Sequence, residues 1–280
     1  MGRGVKERMK QLTDKEHAFF DTFGYLSVPQ LLSADEVAAV TEAFEWTIQN
    51  CGGGADHDGS TRTMLLGPIE HSPVMCALLD HPGVAGLISG VLGEDFNYAS
   101  GDGNFYSGDT GKRHSDGSWG QLWAAKTAFL DPVTRDSGCL RVIPGSHRPD
   151  HYLRAQGISP NDAQERFGVS PSEFPGDLAL ESNPGDVVIF NHDLFHASFG
   201  GSKRRRMFTM NCIRRATTPQ EEEMSRRYVS AHSPGGYKLK TGNGMYWPTL
   251  LQTADEQRMR HLSQLSALHD ELFPELAAPA

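Results

Sequence analysis

Apolar and polar positions alternate differently in the two halves of this chain. Thr13 opens a segment with Glu16 three residues on, a capping box leading into His17–Thr22 and closed by Gly24. Tyr25–Pro29 then reads as short and extended. Ser33 and Glu36 repeat the box, and Val37, Val40, Ala43 and Trp46 recur at helical spacing, so one face of this second helix packs on a core. Residues 51–60 are rich in Gly and Asp and read as a loop, and His71–Leu92 reads as helical, with Pro82 near a helix start. After Gly93 the period shortens. Phe96–Phe105, Gln121–Leu130, Cys139–Ile143, Asp186–Phe190 and Met207–Ile213 are strand-like runs punctuated by Gly, Pro and Asp, the pattern of an all-β sandwich or barrel. The tail over Thr253–Leu276 returns to helical spacing. One domain spanning 1–280 is expected, with a helical flank over about 13–92, a β core over about 93–215 and a helical tail over about 253–276.

Residues 149–176 interrupt the strands with a polar, Pro- and Gly-punctuated insertion. Insertions of this length are commonly functional, and the expectation is a mobile cover over an active site, helped by Tyr246-Trp247.

The formal net charge of −9 removes nucleic acid from the expected partners; Lys203-Arg204-Arg205-Arg206 is the one dense basic run. Cys51, Cys76, Cys139 and Cys212 lie far apart without CxxC spacing, which predicts reduced thiols in a cytoplasmic protein. The first ten residues are charged and lack the apolar run of a signal peptide, and no stretch has the length of a membrane span. A small-molecule substrate is the expected partner, and the oligomeric state is unreadable.

Candidate chemistry begins at His114-Ser115-Asp116. Two residues apart on extended chain, an imidazole and a carboxylate share a face. Alone this is weak, since short motifs match by accident. The apolar strand Asp186–Phe190 runs on to His192 and His196, either of which can close a site begun elsewhere. Two His and one carboxylate form the facial triad of non-haem iron(II) oxygenases. The basic run follows a Gly200-Gly201 turn. If 190–198 and 204–213 form a hairpin, the arginines face the distal His across it, but a one-residue shift flips every face, so spacing leaves the residue open.

Three segments in order, "RHSDG", "LDPVTRDSGCLRVIPGSHR" and "GDVVIFNHDLFHASFGGSKRRRMF", together with "AFFDTFGYLSVPQLLSADEV", resemble the phytanoyl-CoA dioxygenase family of iron(II)- and 2-oxoglutarate-dependent oxygenases. The resemblance implies a double-stranded β-helix, a jelly-roll or cupin-like core. It implies His114, Asp116 and His196 as iron ligands, with 2-oxoglutarate and dioxygen as co-substrates. Arg206 is implied as the anchor of 2-oxoglutarate, with Arg204 on the same strand face as the fallback, and Ser198 and Asn104 as further contacts to its carboxylate. The implied reaction is hydroxylation of a small molecule with release of succinate and carbon dioxide. Desaturation, cyclisation and epimerisation use the same triad, and a cupin-like protein that binds metal without oxidative chemistry is the rival from another class. Related halogenases carry a small residue at the carboxylate position; Asp116 favours hydroxylation. Two departures stand near the implied pocket: Arg113 where relatives often carry Trp, and Lys126 where many carry a bulky apolar residue. With Arg141 they suggest a basic lining suited to an anionic substrate.

Overall fold

A computed structural model describes residues 11–108, 112–117, 123–242 and 244–277, with the backbone alone over 123–129. Both amino-terminal capping boxes form. Thr13 caps α1 (Asp14–Phe23) and Ser33 caps α2 (Ala34–Cys51), each with the reciprocal Glu bond. β1 (Tyr25–Val28) lies between them. The region read as helical over 71–92 divides into α3 (Pro73–Cys76) and α4 (Pro82–Leu92), the second starting at Pro82 as expected, because proline favours the first turn of a new helix.

The remaining elements are β2 (Thr63–Leu66), β3 (Asn97–Tyr98), β4 (Asp102–Tyr106), β5 (Trp123–Phe129), β6 (Ser137–Val142), α5 (Tyr152–Ala155), α6 (Ala163–Phe167), β7 (Leu178–Leu180), β8 (Val187–Asn191), β9 (His196–Gly200), β10 (Arg205–Ile213), α7 (Pro219–His232), α8 (Pro248–Gln252) and α9 (Glu256–Leu272). The strands form two antiparallel sheets. The larger runs β1-β8-β5-β10-β4-β2, with β3 also on β10; the smaller runs β7-β6-β9. Curled face to face, they make the jelly-roll that the family resemblance implies.

The large sheet is buried on both faces. Phe105, Ile189, Phe208 and Met210 point to a helical layer, where Phe44 of α2 meets Phe105 and Phe208 at 6.0 Å between ring centroids. Their neighbours Tyr106, Val188, Phe190 and Met207 fill the space between the sheets with Cys139, Leu140 and Val142. Period-two alternation therefore sorts each strand into a helix-side and a sandwich-side set.

One expectation is corrected. Residues 190–198 and 204–213 are not a hairpin: β9 pairs with β6 in the small sheet, whereas β10 pairs with β4 and β5 in the large one. Gly200–Arg204 crosses the sandwich instead. The insertion over 149–176 packs a small core of its own, Leu153, Ala163 and Phe174 with Ile143, and none of its residues lines the cavity between the sheets. Tyr246 is fully buried in the helix-side core and donates to the Tyr98 carbonyl at 2.6 Å. α7 escaped the sequence reading although Thr218 and Glu221 carry the same capping-box signal. Among the described residues, no single helix is long and apolar enough to cross a membrane.

Candidate active site

His114 lies outside a regular strand, in an isolated antiparallel bridge with His196. Each residue's amide donates to the other's carbonyl, at 3.0 and 2.9 Å. The bridge joins the His-x-Asp segment to the start of β9 and brings the two imidazoles to 4.3 Å between centroids. The next residues turn: Asp116 and Gly117 both donate to the His192 carbonyl, at 2.8 and 2.9 Å. A Cβ on Gly117 would sit 2.3 Å from an Asp193 carboxylate oxygen, so only glycine permits this approach. Asp116 is thereby presented to both histidines, its oxygens 3.4 Å from His114 Nε2 and 3.5 Å from His196 Nε2. One ligand atom from each of the three residues falls within 4.8 Å of the others.

Both rings are oriented from behind. His196 Nδ1 lies 2.9 Å from the Leu194 carbonyl and His114 Nδ1 3.2 Å from that of Lys112. A carbonyl only accepts, so each Nδ1 carries the proton and each Nε2 lone pair faces the cluster. Burial pushes His196 below the usual histidine range, which keeps it neutral as a ligand must be. Burial pushes the Asp116 carboxyl up, but His196, His192 and His114 outweigh it and hold the group below the ordinary carboxylate range. A neutral imidazole pair with one carboxylate on one side of a metal suits iron(II) and leaves coordination positions open. His192 lines the same cavity, but its hydrogen bond runs to Asn211 and it is not in the three-residue cluster.

The cavity in front of the cluster measures about 630 Å³ and lies between the sheets. Ser198 lines it, two residues after His196. Asn104 is fully buried with its amide committed: Oδ1 accepts from Arg62 Nε at 2.6 Å and Nδ2 donates to Asp102 at 2.5 Å.

The basic run divides by parity. Met207, Thr209 and Asn211 line the cavity, which puts Arg205 on the sandwich side of β10 and Arg204 and Arg206 on the helix side. Arg206 donates to Asp131 through its backbone amide and guanidinium, and to Glu45 at 3.3 Å. Arg204 forks onto Glu45 and stacks over Phe105 at 4.2 Å. Neither arginine implied by the resemblance reaches the cavity face. Arg205 is 2% exposed, and none of its three guanidinium nitrogens has a hydrogen-bond partner among the described residues. It lies over the Tyr106 ring at 4.5 Å. Gly138, in the left-handed region, makes room for it: a Cβ there would sit 2.7 Å from Arg205 Nε. A buried, unpaired guanidinium in a cradle is costly unless an anion completes it.

Two members of the expected basic lining take no part in it: Arg113 and Arg141 clamp opposite oxygens of Asp177 at 2.8 and 3.0 Å, all three side chains buried, and neither lines the cavity, whereas Arg62 does. Lys126 holds a register position opposite Met210 and Ile189. Trp119, which follows the His-x-Asp motif, falls outside the described residues.

A family model described as phytanoyl-CoA dioxygenase (PhyH) matches residues 20–207. An ectoine dioxygenase from Sphingopyxis alaskensis is 27% identical over 220 residues, 68% of this chain and 71% of that protein. The crystal structure of EctD from S. alaskensis with bound Fe superposes with a TM-score of 0.58 at 22% identity, covering 78% of this chain and 83% of that one. The non-heme alpha ketoglutarate dependent carbocyclase SnoK from nogalamycin biosynthesis also gives 0.58, at 21% identity over 75% and 87% of the two chains.

Proposed function

The chain belongs to the phytanoyl-CoA dioxygenase family, and from that premise we propose that it is an iron(II)- and 2-oxoglutarate-dependent oxygenase that hydroxylates a small molecule. His114, Asp116 and His196 hold the metal, and Arg205, rather than Arg206 or Arg204, holds the distant carboxylate of 2-oxoglutarate. The observation that carries the reading is the convergence of two imidazoles and a carboxylate, with ligand atoms within 4.8 Å of one another, on the wall of a cavity.

Bound there, iron(II) with 2-oxoglutarate and dioxygen supplies the oxidising chemistry, with succinate and carbon dioxide as co-products. The protein's own residues do the rest. Leu194 and Lys112 carbonyls fix the imidazole tautomers, and the turn on His192 aims Asp116. The Arg205 fork matches a carboxylate's two oxygens, and Ser198 lines the wall as a further polar contact. Val188, Phe190 and Leu140 keep the sandwich side apolar and limit water near the reacting centre. Asp116 supplies the carboxylate ligand that a halide-binding site lacks, which favours hydroxylation.

The test is 2-oxoglutarate-dependent succinate formation by protein loaded with iron(II). His114→Ala and His196→Ala should each abolish turnover and metal binding in calorimetry while the circular dichroism spectrum persists. Near-full activity in either variant would falsify the ligand set.

A further inference from the structure

Resting on the oxygenase reading above, we propose that the substrate is an uncharged, ring-bearing, mostly apolar small molecule, selected by a wall that α7 and the loop after it build at the cavity mouth. The family match ends at residue 207, and this wall lies beyond it. Tyr228 and His232 are one helical turn apart on α7, with ring centroids 4.9 Å apart. His232 Nδ1 lies 3.1 Å from the Tyr237 hydroxyl, which ties the loop to the helix. Tyr228, His232, Tyr237 and Leu239 all line the cavity, and Met64 of β2 joins them. Met64, Tyr237 and Leu239 are 54%, 50% and 40% exposed, so large apolar groups converge on one opening. Apolar surface of this kind around a cavity is what a ligand covers.

Among the described residues, the charged groups in and around the cavity are already engaged, which disfavours an ionic substrate. Arg62 lines the cavity with its guanidinium held by Asp102 at 2.8 Å and by Asn104. Asp116 faces the metal position, and Arg113 and Arg141 are locked on Asp177. Burial holds His232 below its usual range, hence neutral near pH 7. Arg205 belongs to 2-oxoglutarate in the reading above. A substrate carboxylate or ammonium would be desolvated there without an uncommitted partner among the described residues. About 630 Å³ also has to hold 2-oxoglutarate and substrate together, which suits a molecule of one to three rings.

The experiment uses the full-length protein with iron(II) under anaerobic conditions. Adding 2-oxoglutarate should produce a visible metal-to-ligand charge-transfer band. Flavanone and 1-tetralone, both uncharged and ring-bearing, are then titrated against ectoine, a small zwitterion. The ring compounds should shift the band and ectoine should leave it unchanged. Tyr237→Ala and Leu239→Ala, at half-exposed positions that leave the core intact, should each weaken ring-compound binding about tenfold. A shift by ectoine alone, no shift by either ring compound, or ring binding indifferent to both substitutions overturns the proposal. Failure of the band to form with 2-oxoglutarate overturns the cofactor reading instead.

Discussion

Replacing Arg205 by methionine separates anchoring from packing. The guanidinium is buried, has no hydrogen-bond partner among the described residues and is cradled by Gly138. An apolar replacement of similar volume for a buried charge is often neutral or stabilising by about 1–4 kcal/mol. The cofactor-free Arg205→Met variant should therefore melt at or above the wild-type temperature. Binding of 2-oxoglutarate should suffer in the opposite direction. Each hydrogen bond to a charged group is worth about 1.5–3 kcal/mol, so losing one or both bonds of the fork weakens binding from about tenfold to about ten-thousandfold. At a ligand concentration of about 100 Kd, wild-type protein gains roughly 2.7 kcal/mol, whereas a hundredfold weaker variant gains only about 0.4 kcal/mol. Differential scanning fluorimetry of the metal-loaded protein, with and without 2-oxoglutarate, reads both effects. Arg206→Met is the control, since its guanidinium faces Asp131 and Glu45 on the helix side. A preserved 2-oxoglutarate shift in Arg205→Met, with the shift lost in Arg206→Met, would refute the parity argument.

Asp177→Ala strands two buried guanidinium groups, Arg113 and Arg141, and should cost about 3–5 kcal/mol in urea unfolding; a loss under about 1 kcal/mol would show that the network is not holding the insertion to the barrel. Asn161 accepts from the Arg113 amide at 2.8 Å and donates to its carbonyl at 2.7 Å, bracing the chain one residue before His114. Asn161→Ala should weaken cobalt(II) or nickel(II) binding about tenfold in calorimetry, as loss of an outer-shell contact does, and unchanged affinity would remove that bracing role. Glu70 is pushed up to about 7 by burial, against hydrogen bonds from the Trp247 amide, Ser100 and Tyr98. Its carboxyl keeps a proton in the folded protein that the unfolded chain releases near pH 4.5, so its contribution to stability falls as pH rises from about 4.5 to about 7. Glu70→Gln should remove that component, and urea midpoints at pH 5 and 7.5 that change equally in both proteins would contradict it.

What the sequence determined by itself was local or carried by motif. The two capping boxes, the period-two strands after Gly93 and the His-x-Asp segment are written in neighbouring residues, because helix caps, strand alternation and tight turns depend on side chains a few positions apart. The order of the three motif segments identified the family, and with it the jelly-roll. The tertiary structure decided which sheet each strand joins. His196 and Arg205 are nine residues apart, a spacing that fits a hairpin as well as a crossing between sheets. Only the pairing of β9 with β6 and of β10 with β4 and β5 turns Arg205 inward and sends Arg204 and Arg206 to Glu45 and Asp131. The insertion followed the same logic. Its polar composition says nothing of how it is held: buried Arg113 and Arg141 reach Asp177 just past its end, a partnership between charges 36 to 64 positions apart that no local pattern encodes. Long-range pairing depends on loop closure and on burial shared by many segments, so a single stretch of sequence does not contain it.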